Sequence, residues 1–454
     1  MSEQFRGHTS NNFYLIEKEL GSGGQGRVYL VRDLKKGTHY AAKWYREAPK
    51  IQDQYKQIQE LVQRGSPKIN DAGIFFIWPI EMLSFLGSQG FGYLMPLIDT
   101  NRFHSLNRIC SGRVKQPSPT VLCRISRRVA AALDILHAAG LAYCDINLGN
   151  IMLDPLTGEI VVCDNDNVVV NNSESPVKGV WEFMAPEVAL NKVHPNAESD
   201  LYSLAVLLYY LWMWEHPMEG KQTLNLYSWD IPAKKKFFAE NPVFVFHPTN
   251  PINNTRGVTE LQLHEQRWQR LCPSKLKIMF TETFVEAVHD PSRRKRLYDW
   301  QRLFLEMEAN APTCGCGAVN LWDGASRTLT CWKCRRDLPL GLVLRVRQGT
   351  AGDCWLLAYP GAQLRRHHFD LSRFSDNSIE ALGRIESHPR EVGHVILRNL
   401  TNMDWGYVIP GGEIIDIKPG QARALMPGIQ LNIGQRTVEV QTLVAGGINS
   451  NPLY

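Results

Sequence analysis

The sequence has no apolar run long enough to cross a bilayer. Its most hydrophobic stretch, LYSLAVLLYYLWMW from Leu201 to Trp214, falls short of the roughly 20 residues a spanning helix needs and reads as a buried helix. The N-terminal MSEQFRGHTSNNFYLIEKEL lacks the apolar core of a signal peptide, so the expected location is the cytoplasm, with no membrane partner. Charge of one sign is scarce as well. A formal net charge of +5 is too small to argue for nucleic acid or an acidic membrane surface. Ten cysteines in 454 residues do not suggest a disulfide scaffold, although four of them crowd between 314 and 334. Internal repeats and low-complexity segments are missing too.

What is present is the composition of an ordinary soluble globular protein, 44% hydrophobic and 21% charged, on a chain longer than one core usually organises. Two or three domains are expected. Residues 14 to 45 alternate like strands around a glycine cluster. IQDQYKQIQELVQR, from about 51 to 64, has the period of an amphipathic helix, and IFFIWPIEML and GFGYLMPLI read as further strands. A helix-dominated region follows to about 309, then a Cys/Gly knuckle region and a Val/Ile/Leu-rich, Gly/Pro-punctuated stretch with an all-β character.

GSGGQG at 21 to 26 is weak evidence alone, because GxGxxG occurs in several nucleotide folds and in plain hairpin turns. A dinucleotide site would put it between a strand and a helix, whereas here the strand-like RVYLVRD follows. In that context Gly21, Gly23 and Gly26 would let backbone lie close over ATP phosphates, with Val28 against the adenine; a simple hairpin turn is the other reading.

Downstream motifs resemble the protein-kinase signature in order and spacing. YAAKW resembles the VAIK strand, which implies that Lys43 holds the α/β-phosphates and that Glu60 on the next helix is its ion-pair partner, with Glu47 a weaker rival. YCDINLGN resembles HRDLKxxN and implies Asp145 as catalytic base and Asn150 as a magnesium ligand; VVCDND resembles the approach to DFG and implies Asp164 as the other ligand for Mg2+ or Mn2+. Val28, Ala41, Met95, Leu97 and Met152 take the adenine-pocket positions by the same resemblance. GVWEFMAPE ends at Glu187, which Arg294 of HDPSRRKRLYDW is expected to pair, and Asp200 of SDLYSLAVLLYYL is expected to tie down the catalytic-loop backbone.

Departures from the signature keep two functions open. Tyr143 and Cys144 replace the His-Arg of HRD, Asn147 replaces the lysine two residues after the base, and Asn165-Asp166 replace Phe-Gly of DFG. Loss of the arginine removes the usual grip on an activation-loop phosphate. Loss of the lysine removes a charge near the transferred phosphoryl group. Its usual partner threonine is also gone, as Val180; Asn147 keeps a hydrogen-bond donor, and Lys178 is near enough in sequence to supply a charge. Retention of Lys43, Glu60, Asp145, Asn150 and Asp164 argues for a slow serine/threonine kinase with a protein substrate; the alternative is an ATP-binding pseudokinase that docks and transfers nothing.

CGCGAVNLWDGASRTLTCWKC supplies Cys314, Cys316, Cys331 and Cys334, four soft thiolates with the spacing of a zinc ribbon and every coordination position filled by protein, hence a structural Zn2+; four free thiols or a disulfide pair is the alternative. Beyond it, GHVILRNLTNMDWGYVIPGGEIIDIKPGQARALMPGIQLNIGQRTVEV resembles the second half of a forkhead-associated domain, with Ile379 and Leu382 where that family places the Ser and His that support phosphothreonine binding. The expected fold is therefore α+β: a bilobal protein-kinase domain over 1–310 (lobes about 1–95 and 100–310), a zinc ribbon over 311–340 and a small all-β sandwich over 341–454. That architecture resembles the bacterial kinase of the tellurite-resistance TerY-phosphorylation triad, which implies a von Willebrand factor A domain protein and a metal-dependent protein phosphatase as partners.

Overall fold

The structure is a computed structural model that describes residues 3–23, 26–45, 51–85, 90–171, 173, 179–322, 324, 328–347, 353–369 and 380–443. Two compact units result, one formed by Met1–Gln116, Arg128–Asn254 and Thr281–Leu297, the other by Pro117–Arg127, Thr255–Phe280 and Tyr298–Tyr454.

In the first unit, twelve short strands and one amphipathic helix position the site. The strands are β1 (Gln4–Gly7), β2 (Phe13–Ser22), β3 (Gly26–Asp33), β4 (His39–Tyr45), β5 (Ile74–Phe76), β6 (Glu81–Phe85), β7 (Gly92–Met95), β8 (His104–Ser105), β9 (Leu141–Ala142), β10 (Ile151–Leu153), β11 (Ile160–Val162) and β12 (Val169–Val170). Strands β1-β2-β3-β4-β7-β6 close into a barrel, because β1 pairs with both β2 and β6.

The period of two along β4 sorts its side chains onto two cores. Ala42, flanked by Tyr40 and Trp44, packs with Phe5, Tyr14, Val31, Leu83 and Leu94. Ala41 and Tyr45 point the other way, into a cluster with Ile58, Ile77, Phe91, Tyr93 and Met95. Lys43 lies between them in this alternation, so its ammonium is carried to the same side. Gly26 is required where β3 meets β4, since a Cβ there would stand 2.3 Å from the Trp44 carbonyl oxygen.

Helix α1 (Ile51–Arg64) carries Asp53 in its first turn and Arg64 in its last, each on the side its dipole favours. Ile58 and Leu61 are its buried residues, and Gly65 ends it at φ +71° with its N–H on the Leu61 carbonyl, 3.0 Å away. Strands β5-β11-β10-β8 form a second sheet, and β9 pairs with β12. All of the apolar run but its last residue, the C-cap Trp214, lies in helix Ala197–Met213, whose N-terminus is closed by a capping box between Asn196 and Ser199; it is buried from Leu201 to Met213 at nearly every position. Among the described residues no helix is long and apolar enough to cross a membrane.

In the second unit, Thr328–Thr330 and Asp337–Pro339 form a two-stranded hairpin. Two further sheets, of six and four strands, bury one core that includes Leu344, Leu356, Ile385, Leu397, Trp405 and Val438. Leu382 packs against that core; Ile379 lies outside the described residues.

Candidate active site

The loop from Tyr143 to Asn150 is held by backbone hydrogen bonds to one buried carboxylate. Asp200 accepts from the Tyr143 N–H at 2.8 Å (Oδ2) and from the Cys144 N–H at 3.0 Å (Oδ1), and its Oδ2 also meets His137 Nε2 at 3.0 Å. Cys144 adopts φ +65°, a left-handed conformation unusual for a non-glycine residue, which these contacts help to hold. Asp145 follows directly.

Three side-chain amides converge on the Asp145 carboxylate: Asn147 Nδ2 at 3.2 Å, Asn150 Nδ2 at 2.9 Å and Asn167 Nδ2 at 3.0 Å. Burial raises the pKa of this carboxyl, and the amides from Asn147, Asn150 and Asn167 work against that rise while the Asp164 charge adds to it. The result is a fixed acceptor. Asn147, which stands where a lysine would bring a charge, instead closes on the loop itself, donating to the Asp145 backbone and side chain and accepting from the Gly149 N–H.

Asn150 donates through its amide nitrogen to both the backbone carbonyl and the carboxylate of Asp145, at 2.9 Å each. Its Oδ1 accepts no hydrogen bond among the described residues. The β10–β11 pairing then brings Asp164 alongside, since the Cys163 N–H donates to the Asn150 carbonyl at 2.8 Å. Asp164 sits at φ +46° with its side chain 45% exposed, so an amide oxygen and a partly exposed carboxylate are available as hard oxygen donors of the kind Mg2+ takes. Burial raises the pKa of the Asp164 carboxyl, Lys43 lowers it and Asp166 raises it.

Lys43 reaches this edge from β4. Its Nζ lies 2.7 Å from Asp166 Oδ2 and 3.6 Å from Asp164 Oδ1, with its side chain only 8% exposed. Burial opposes the ammonium, but the two carboxylates outweigh it and its pKa is raised. Val28, Ala41, Met95 and Met152 belong to one apolar cluster on this side of β4, and a Cβ at Gly21 or Gly23 would meet no atom within 4 Å.

The protein kinase domain family matches residues 14–277, more than half of the chain. The chain belongs to the protein kinase family. Similar proteins include cAMP-dependent protein kinase type 3 of Saccharomyces cerevisiae, 28% identical over 245 residues that cover 53% of this chain and 57% of the relative. Serine/threonine-protein kinase PknA of Mycobacterium tuberculosis is 26% identical over 227 residues, 48% of this chain and 51% of PknA. Ribosomal protein S6 kinase alpha-2 of Homo sapiens is 28% identical over 285 residues, 58% of this chain and 37% of the relative. The chain spans about half the length of the first two.

The Glu187–Arg294 pair expected from the sequence forms: Arg294 forks onto Glu187 at 2.7 and 2.8 Å and donates to the Glu198 carbonyl at 2.9 Å. The lysine partner is different. Glu60 is exposed, because the phase of α1 that buries Ile58 and Leu61 turns position 60 to solvent, and Lys43 pairs with Asp166 instead. Position 57 faces the site, where Gln57 donates to the carbonyls of Asp166 at 3.0 Å and Val168 at 2.9 Å. Asp166, Gln57, Tyr45 and Asn167 were all missed by motif reading; the one available signal was a pair of polar residues where the signature has Phe-Gly.

Asn165 hydrogen-bonds where the kinase signature has the apolar Phe of DFG, and Tyr143 where it has the His of HRD. Asn165 is buried and donates to the Ile77 carbonyl at 3.1 Å and the Val162 carbonyl at 2.8 Å, and the Tyr143 hydroxyl donates to the Cys163 carbonyl. Leu97 is 43% exposed and stands outside the apolar cluster of the other adenine-pocket candidates. Glu47 and Lys178 lie outside the described residues.

In the second unit Cys314, Cys316, Cys331 and Cys334 bring their Sγ atoms within 4.8 Å of one another. Sγ separations of 3.6 Å (Cys314–Cys334) and 3.7 Å (Cys316–Cys331) are far too long for disulfides and close to the roughly 3.8 Å edge of a tetrahedron with Zn–S of ~2.3 Å. Hydrogen bonds from Arg336 draw the Cys334 thiol down to about 6, whereas Cys314 is pushed up to about 11 despite a backbone hydrogen bond from Cys316, by burial and by the neighbouring thiols, so the spacing and the donor set carry the fit. The four cysteines therefore fit Zn2+.

Proposed function

We propose that the chain is a magnesium-dependent serine/threonine protein kinase that transfers the γ-phosphoryl group of ATP to a hydroxyl of a protein partner. The observation that carries this reading is the Asp145 carboxylate, fixed by three amides on an anchored loop and set beside the oxygen donors of Asn150 and Asp164. Asp145 would accept the substrate hydroxyl proton as the oxygen–phosphorus bond forms and the bond to the leaving ADP breaks. Lys43 would hold the α/β-phosphates, and the cluster of Val28, Ala41, Met95 and Met152 would take the adenine. Magnesium, when bound through Asn150 and Asp164, neutralises phosphate charge. Such a site relies on positioning and charge, which these residues can supply without covalent chemistry.

Asn147 favours a second reading, an ATP-binding pseudokinase that serves as a docking module, because its amide is spent within the loop and brings no charge to a phosphoryl group. The zinc ribbon is read as structural. The two C-terminal sheets are read as a degenerate forkhead-associated-like docking domain, in which Leu382 packs against the core and offers a phosphate nothing. No disulfide joins any of the ten cysteines, all among the described residues, which suits a reducing cytoplasm. The resemblance to the TerY-phosphorylation triad nominates a von Willebrand factor A domain protein and a metal-dependent protein phosphatase as partners.

The deciding experiment incubates the purified chain with radiolabelled ATP, magnesium and those two proteins. Label should pass to a protein with wild type and not with Asp145→Ala, while both bind ATP. Equal inertness of the two, with ATP bound by both, favours the pseudokinase.

A further inference from the structure

Three polar residues follow Asp164, and all three are buried: Asn165, Asp166 and Asn167 are 1%, 1% and 3% exposed. Asn165 and Asn167 have evident tasks, one closing on the Ile77 and Val162 carbonyls and the other on Asp145. Asp166 is the unusual member. It occupies a position where the kinase signature has glycine, and an ionised side chain with no exposed surface is costly unless it is paired.

Its side-chain pairing is made through one carboxylate oxygen. Oδ2 takes the Lys43 ammonium at 2.7 Å and the Tyr45 hydroxyl, both delivered from the same face of β4, while Oδ1 is buried with no hydrogen-bond partner. The Asp166 backbone is fixed separately, by Gln57 on its carbonyl. Helix α1 thus contributes a neutral contact to the segment, and its two acidic residues, Asp53 and Glu60, are both exposed.

We propose that Asp166 is the positioning residue for Lys43, supplying from the start of the activation segment the negative charge that a glutamate of helix α1 would otherwise bring. The ammonium is then aimed by the same short segment that carries Asp164, and the aim travels with residues 164–167 and not with α1. Asp164 lies 3.6 Å from the same ammonium, so the pairing leaves Lys43 at the edge where phosphates would sit. The Tyr45 hydroxyl donates to the same Oδ2, so one carboxylate oxygen is shared between the lysine and its neighbour on β4.

This inference rests on the proposed nucleotide site, and its test does not require turnover. Binding of Mg·ATP to the full chain is measured by calorimetry for wild type, Lys43→Ala, Asp166→Asn and the double variant, with phosphoryl transfer recorded in parallel. Asp166→Asn should weaken binding about fivefold or more, and should cause no further weakening in the Lys43→Ala background, because a residue that acts through Lys43 has nothing to position once that lysine is gone. Equal weakening in both backgrounds would mark a general structural role and overturn the proposal, as would Asp166→Asn binding with wild-type affinity. Failure of wild type to phosphorylate any partner would count against the kinase reading alone, since the binding cycle still decides the role of Asp166.

Discussion

Asp200→Asn is the sharpest probe of how the catalytic loop is held, because it keeps shape and removes charge. Oδ2 of Asp200 serves Tyr143 N–H and His137, whereas Oδ1 serves Cys144 N–H alone. The amide of an asparagine would keep its oxygen at the position with two partners, turning its own N–H groups towards the Cys144 N–H. One hydrogen bond to a charged acceptor, worth about 1.5–3 kcal/mol, is lost, and a buried donor is left facing another donor. The expected cost is therefore about 2–3 kcal/mol, concentrated at a residue whose φ of +65° needs outside support. Urea unfolding reads the total, and hydrogen exchange at the Cys144 amide reads where it falls. Phosphoryl transfer should drop as well, since Asp145 is the next residue. A change below about 0.5 kcal/mol, with the Cys144 amide still protected, would refute the idea that this carboxylate holds the loop.

The Arg294→Met variant should lose about 3–5 kcal/mol in the same urea assay, because the Glu187 carboxylate is left without its fork in a place where the arginine side chain is 1% exposed; Glu187→Gln in that background should recover part of the loss. Elemental analysis should find about one zinc per chain, and Cys331→Ser should lower that content and destabilise the C-terminal region while ATP binding persists. Asn147→Lys should raise phosphoryl transfer if the missing charge is merely tolerated, and lower it if the two hydrogen bonds from Asn147 to Asp145 matter more, as their geometry argues.

Much of this was readable along the chain. Helix 51–64, the strand carrying Lys43, the loop of Asp145 and Asn150, and the Glu187–Arg294 pair all follow from local pattern and from spacing within the kinase signature, which is a one-dimensional record. The partner of Lys43 was not readable that way. The kinase resemblance pointed to Glu60 on α1, but the side that a helix buries is set by its apolar phase, and Ile58 and Leu61 decide it. Asp166 lies 123 residues from Lys43 in sequence, and only the three-dimensional approach of the segment after β11 to the face of β4 brings them together. The four-cysteine cluster was legible because thiolate ligands must be close and come in pairs.

The closed barrel has a consequence for how this lobe comes into being. Phe5 pairs with Tyr14 on one side and with Phe85 on the other, so the first strand of the chain is also the seam of the sheet. During synthesis that strand can form its near hairpin early, but the seam must wait until the stretch around residue 85 has emerged. Until then the sheet has two raw margins of unpaired N–H and C=O groups, each a template for a stranger's strand. Once sewn, neither margin remains, and a lobe whose opening segment is missing would carry both for its lifetime.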